Sequence, residues 1–298
     1  MAHEFFTPQD TELLYPESAL VTLNDFGKTL RGEHAREAQY LANILQLPVL
    51  AVERPGSHKT HSNANFKTQI GNHGSNYSLM QSIGRNIEDA LDSKGIKASV
   101  VAGVGAGGLG ALALTEANEL RSQVAVYAAE PVGLVQMTSA GFTPYDTEKN
   151  AEDYYKEYLK SPKLPRQETR GQKAARILMP DKEQRLMAQN DWENINGALA
   201  NAIGLNCLQG IRNLSGITVW LEFTPGSPSI ELNGEHLRQI TSERRSMPGA
   251  KDFKIDAVSG TTIYTLCDPQ YFAKRLAPLL DQVLSKEDLP DNPDTEAI

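Results

Sequence analysis

The 298-residue chain contains two cysteines, Cys207 and Cys267, far apart from one another. That excludes a disulfide framework and a thiolate metal cage, and both are expected as small buried side chains. No apolar run approaches the ~18 residues that a bilayer span needs. Met1 to Pro16 has neither the basic start nor the apolar core of a secretory leader. Positive charge is in deficit, 29 Lys and Arg against 37 Asp and Glu for a net charge of −8. This argues against a global grip on nucleic acid or on an anionic membrane. A soluble, cytoplasmic protein is expected. What the chain does have is 40% hydrophobic content over a length that suits one large domain or two small ones.

Short β-like runs alternate with helical patterns, which is what a mostly parallel sheet with crossover helices requires. Strands are expected at Ala19–Leu23, Pro48–Val52, Ala98–Ala102, Val124–Ala128, Ile217–Phe223 and Phe253–Val258. Helices are expected at Arg36–Leu45, Leu79–Leu91, Ala111–Leu120, Glu235–Ile240 and Pro269–Leu284. In the second of these, Leu79, Ile83, Ile87 and Leu91 recur every four residues as one apolar stripe, with Arg85, Glu88 and Asp92 off it. From 135 to 213 the alternation stops in favour of helical and polar stretches broken by prolines, so this segment reads as an insertion. Residues 1–134 and 214–285 then form the two parts of one α/β core. The proline- and acid-bearing tail, 286–298, is expected to be disordered.

The most informative stretch runs from Ala98 through Gly103-Val104-Gly105-Ala106-Gly107-Gly108, a strand passing through glycines directly into a helix. Gly103, Gly105 and Gly108 satisfy G-x-G-x-x-G, and Glu130 follows about 20 residues on, where a ribose-binding acid belongs. On that reading the protein is an NAD- or flavin-dependent oxidoreductase. Alternatively, Gly103, Gly105 and Gly107 occupy the small-residue frame of a strand-to-helix elbow, with Gly105 at the position that G-x-S-x-G gives to serine.

The element order from Ala19 to Leu284 resembles the α/β-hydrolase superfamily, with its central sheet, helices on both faces and helical lid insertion. Asn24-Asp25-Phe26, with Leu23 and Gly27, is similar to the family's oxyanion loop, and Glu53-Arg54-Pro55-Gly56 resembles its Asp-x-Pro-Gly turn. Cys267-Asp268-Pro269 is similar to the start of the helix that follows its histidine loop. The resemblance implies a pocket bordered by Asn24, Asp25, Phe26, Ala106 and Gly107. It also implies three catalytic roles at positions where this chain has no matching group. Gly105 stands for the nucleophile, the turn around Gly226 holds no acid, and the loop around Thr262 holds no histidine. A Gly-x-Gly-x-Gly elbow also resembles that of the N-myc downstream-regulated proteins, a non-enzymatic group with this fold. The expectation is therefore a catalytically degenerate hydrolase-fold protein that binds or scaffolds.

Other candidates have plainer readings beside them. Asp25 would oppose an oxyanion, or simply cap a helix. His58 and His61, three residues apart, could serve as ligands or as a base, or lie in a solvated loop with His73. An esterase with a displaced nucleophile would draw on Ser57, Ser99, Ser227 or Ser259 with one of those histidines. Lys160, Lys163, Arg166, Arg170, Lys173 and Arg176 make the stretch 160–176 basic, so it suits an acidic protein or small-molecule partner, or is an ordinary exposed helix. Trp192, Ile195, Leu199 and Ile203 read as core of the insertion. No cofactor, metal, nucleic acid or membrane is expected, and oligomeric state is left open.

Overall fold

Small and β-branched apolar residues in unbroken runs, without polar alternation, favour strands covered on both faces. The computed structural model describes residues 3–9, 12–23, 30, 32–53, 76–129, 131, 216–223, 238, 242, 251–257 and 268–285. In it such runs become β2 (Ser18–Leu23), β3 (Val49–Val52), β4 (Ala98–Val104), β5 (Gln123–Ala129) and β6 (Thr218–Phe223), while the alternating Phe253-Lys254-Ile255-Asp256-Ala257 becomes the outermost strand β7 (Phe253–Ala257). Every residue of β2, β3 and β6 is buried. A further strand, β1 (His3–Phe6), precedes them, so the sheet has seven strands in the order β1-β3-β2-β4-β5-β6-β7. All neighbours are parallel except β1, which runs antiparallel to β3.

The expected strands are all present within two residues at their ends. β1 was not expected, because its sequence begins with exposed His3 and Glu4. Phe5 and Phe6 hold it in place, one packing against the core on each face of the sheet.

The helices among the described residues are α1 (Glu33–Leu45), α2 (Asn76–Asp92), α3 (Ala106–Ala117) and α4 (Pro269–Leu284). Alternate residues of each strand point to opposite faces, which makes two cores. On one face Val21, Leu23, Val101, Val126, Leu221 and Phe223 meet α2 and α3. On the other Leu20, Val100, Ala102, Tyr127 and Trp220 meet α1 and α4. The α2 stripe is in the first core, where Ile83, Ile87 and Leu91 are buried, each burial contributing about 1.5–3 kcal/mol. Glu88 lies off that stripe and is buried too, because the backbone N–H and hydroxyl of Ser122 donate to it and Arg121 stands 3.5 Å away. No described helix is long and apolar enough to cross a membrane.

α4 starts where the sequence predicts. Pro269 occupies the first turn, and the Asp268 side chain accepts from the N–H groups of Gln270 (2.8 Å) and Tyr271 (3.1 Å). Its inner face is pinned to the sheet by a polar cluster that the sequence reading did not anticipate. Glu222, fully buried in β6, accepts from Tyr127 Oη (2.7 Å), Tyr271 Oη (2.8 Å) and Arg275 Nε (2.8 Å). The other end of the guanidinium donates to Asp256 on β7 at 2.6 Å, which also pairs with Lys254.

Burial pushes the Tyr271 hydroxyl up to about 12, with the hydrogen bond and charge of Glu222 adding to it. Burial, then Glu222, drives Tyr127 well above its ordinary value as well. For Arg275 burial pulls downward, but the hydrogen bond and charge of Glu222, together with Asp256, outweigh it and leave the guanidinium above its usual value.

Candidate functional site

β4 ends at Val104 and α3 begins at Ala106, so Gly105 alone turns the chain from strand to helix. Its backbone lies at φ +59° and ψ −119°, a left-handed region that side chains strongly disfavour and glycine adopts freely. Two hydrogen bonds fix the bend. The Gly105 N–H donates to the Ala129 carbonyl (2.9 Å), and its own carbonyl accepts from the Leu109 N–H (3.1 Å) as the first turn of α3 closes.

Glycine is also required on the strand side. A Cβ on Gly103 would lie 2.3 Å from the backbone carbon and oxygen of Gly107. One on Gly108 would lie 3.0 Å from the Ala129 oxygen. Helix and strand therefore meet backbone to backbone, and α3 begins at Ala106 rather than at Ala111 as the sequence suggested. Each glycine inside a helix costs about 1 kcal/mol of propensity, and the close packing against β4 and β5 offsets it.

The sheet register says what else gathers at this bend. Leu23 is level with Gly103, Val104 with Ala129, Ala129 with Glu222, and Glu222 with Asp256. The C-terminal ends of β2, β4, β5, β6 and β7 thus lie together at one end of the sheet, and in open α/β sheets ligands bind outside the carboxyl ends of the strands. Near this end Glu53, just past β3 and 4% exposed, accepts from the Leu30 N–H at 2.8 Å. It ties the chain that follows β2 to the end of β3. Sequence reading gave Glu53 only as part of a turn; an acid closing an apolar strand was the available signal.

Of the expected site residues, Gly103, Gly105, Gly107 and Gly108 and the backbone of Ala106 are brought together at the elbow. Asn24, Asp25, Phe26, His58, His61, Glu130, Gly226 and Thr262 lie outside the described residues. So do Ser57, His73, Ser227, Ser259, both cysteines, the segment 135–213 expected as an insertion, with its basic stretch, and the tail 286–298. Ser99 is described, and the displaced-nucleophile role does not suit it. It is fully buried near the start of β4, the end remote from the elbow, with its hydroxyl 3.1 Å from that of Ser122. The geometry also bears on the dinucleotide reading. Gly108 packs closely against β5, as the third glycine of that motif packs helix on strand, and the acid the motif would use, Glu130, lies outside the described residues. Among the described residues no group of three or more His, Cys, Asp or Glu is placed to hold a metal ion.

No family model and no curated protein matches the sequence. Solved structures do match it, across nearly the whole chain. A proline iminopeptidase from Mycobacterium smegmatis aligns with a TM-score of 0.57 at 13% identity, covering 95% of this chain and 94% of its own. A lipase-esterase related protein from Clostridium acetobutylicum gives 0.54 at 11%, covering 95% and 98%. A structure from a study of carboxylesterases of the thaumarchaeon Nitrososphaera gargenis gives 0.53 at 14%, covering 97% and 96%. At such identities the likeness speaks to architecture, and with the strand order and the elbow it leads to one conclusion: this chain has the α/β-hydrolase fold.

Proposed function

We propose that this protein is a non-catalytic member of its fold class, which binds a protein or small-molecule partner and does not cleave substrate. The observation that carries the reading is Gly105 at φ +59°, ψ −119°, the residue on which the bend turns. Acyl transfer needs a hydroxyl, thiol or carboxylate there with a base within reach, and glycine supplies hydrogen. The sequence agrees at the two other positions, since Thr224-Pro225-Gly226-Ser227 contains no acid and Ser259-Gly260-Thr261-Thr262 no histidine. We assign partner contact to the insertion 135–213, whose stretch 160–176 reverses the sign of the chain and suits an acidic surface.

The test is turnover of ester, thioester, lactone and epoxide substrates, together with labelling by a fluorophosphonate probe. Neither turnover above background nor labelling is expected. Covalent capture at any serine of the unaltered protein would overturn the reading. Gly105→Ser restores a hydroxyl at the bend and is expected to stay unlabelled, because activation needs an aligned imidazole as well. Rapid labelling of that variant would mean that the base is present after all.

The second reading is a hydrolase with a displaced nucleophile at Ser57, Ser227 or Ser259 and His58 or His61 as base. Likeness to solved peptidase and esterase structures favours it. Burst release from an activated ester, abolished by changing one of those serines, is its signature.

A further inference from the structure

We draw no further inference here: the strongest candidate, the partly buried cluster of Tyr127, Glu222, Asp256, Tyr271 and Arg275 between the sheet and α4, has its carboxylates, phenols and guanidinium engaged with one another, so nothing in the structure points to a ligand there and the cluster restates the pinning of α4.

Discussion

At the scale of single residues, three glycines separate backbone strain from steric crowding. Gly105→Ala places a methyl group on a left-handed backbone and is expected to lower stability by about 1–3 kcal/mol. Gly103→Ala has no such strain, but its Cβ would overlap the Gly107 backbone. Because backbone cannot swing aside as a side chain can, the loss should reach or exceed the upper end of about 1–3 kcal/mol. Gly216→Ala, with nothing within 4 Å of the added atom, should stay within about 0.5 kcal/mol of the unaltered protein. Urea unfolding of the three variants checks the order, and a mild Gly103→Ala would mean that the elbow is looser than its geometry.

The elbow was legible in the sequence for the same reason these predictions are sharp, since glycine's conformational freedom is written in its identity. Glu222 was less legible. An acid inside Thr218-Val219-Trp220-Leu221-Glu222-Phe223 marks an anomaly, but its partners Tyr127, Tyr271 and Arg275 come from distant parts of the chain that only the tertiary fold brings together.

The phenols give a pH prediction. Burial, then the hydrogen bond and charge of Asp281, pushes Tyr15 up to about 12, and Tyr271 is raised as far. A folded value above the unfolded value of 10 means that the stabilisation is complete below pH 10 and is lost as pH rises towards 12. Tyrosinate absorbance on alkaline titration should therefore show a late fraction, and Tyr271→Phe should remove part of it. Unchanged late absorbance in that variant would contradict the assignment.

At the scale of elements, α4 carries two separable contributions. Asp268→Ala removes its N-cap acceptor and should cost about 1 kcal/mol. Arg275→Met leaves Glu222 buried without its cation, and breaking such a pair costs about 3–5 kcal/mol. The donations from Tyr127 and Tyr271 should hold the loss near the lower figure. A double-mutant cycle with Glu222→Gln isolates the coupling: the cost of Arg275→Met should largely disappear in the Glu222→Gln background. α4 was readable because its Asp-Pro start and apolar face are local signals. β1 was not, because a four-residue edge strand is created by its neighbour: the antiparallel pairing of His3–Phe6 with Val49–Val52 exists only after β3 is in place. The start of α3 was missed through a rule that usually holds, that glycine-rich sequence is loop. Here packing against β4 and β5 overrides propensity.

At the scale of the whole molecule, the sheet is stitched across a long detour in the chain. β5 and β6 pair directly, Tyr127 with Trp220, although residues 130–217 separate them in sequence. Parallel neighbours need a connection of a dozen or more residues. Replacing 135–213 with a Gly/Ser linker of about that length should therefore leave a cooperatively unfolding protein. Circular dichroism and urea unfolding measure this, and a partner captured by the full chain but not by the shortened one would assign the contact to the insertion. Loss of cooperative folding would instead make the insertion part of the core.

The bend at Gly105 also shapes how the protein tolerates change over generations. Substitutions there are filtered by folding before any new reactivity can be sampled, since every larger group is forced into an awkward twist. A saturation library selected only for abundance should find position 105 quieter than its neighbour Val104. That site would look guarded even in a lineage where no bond is ever cut.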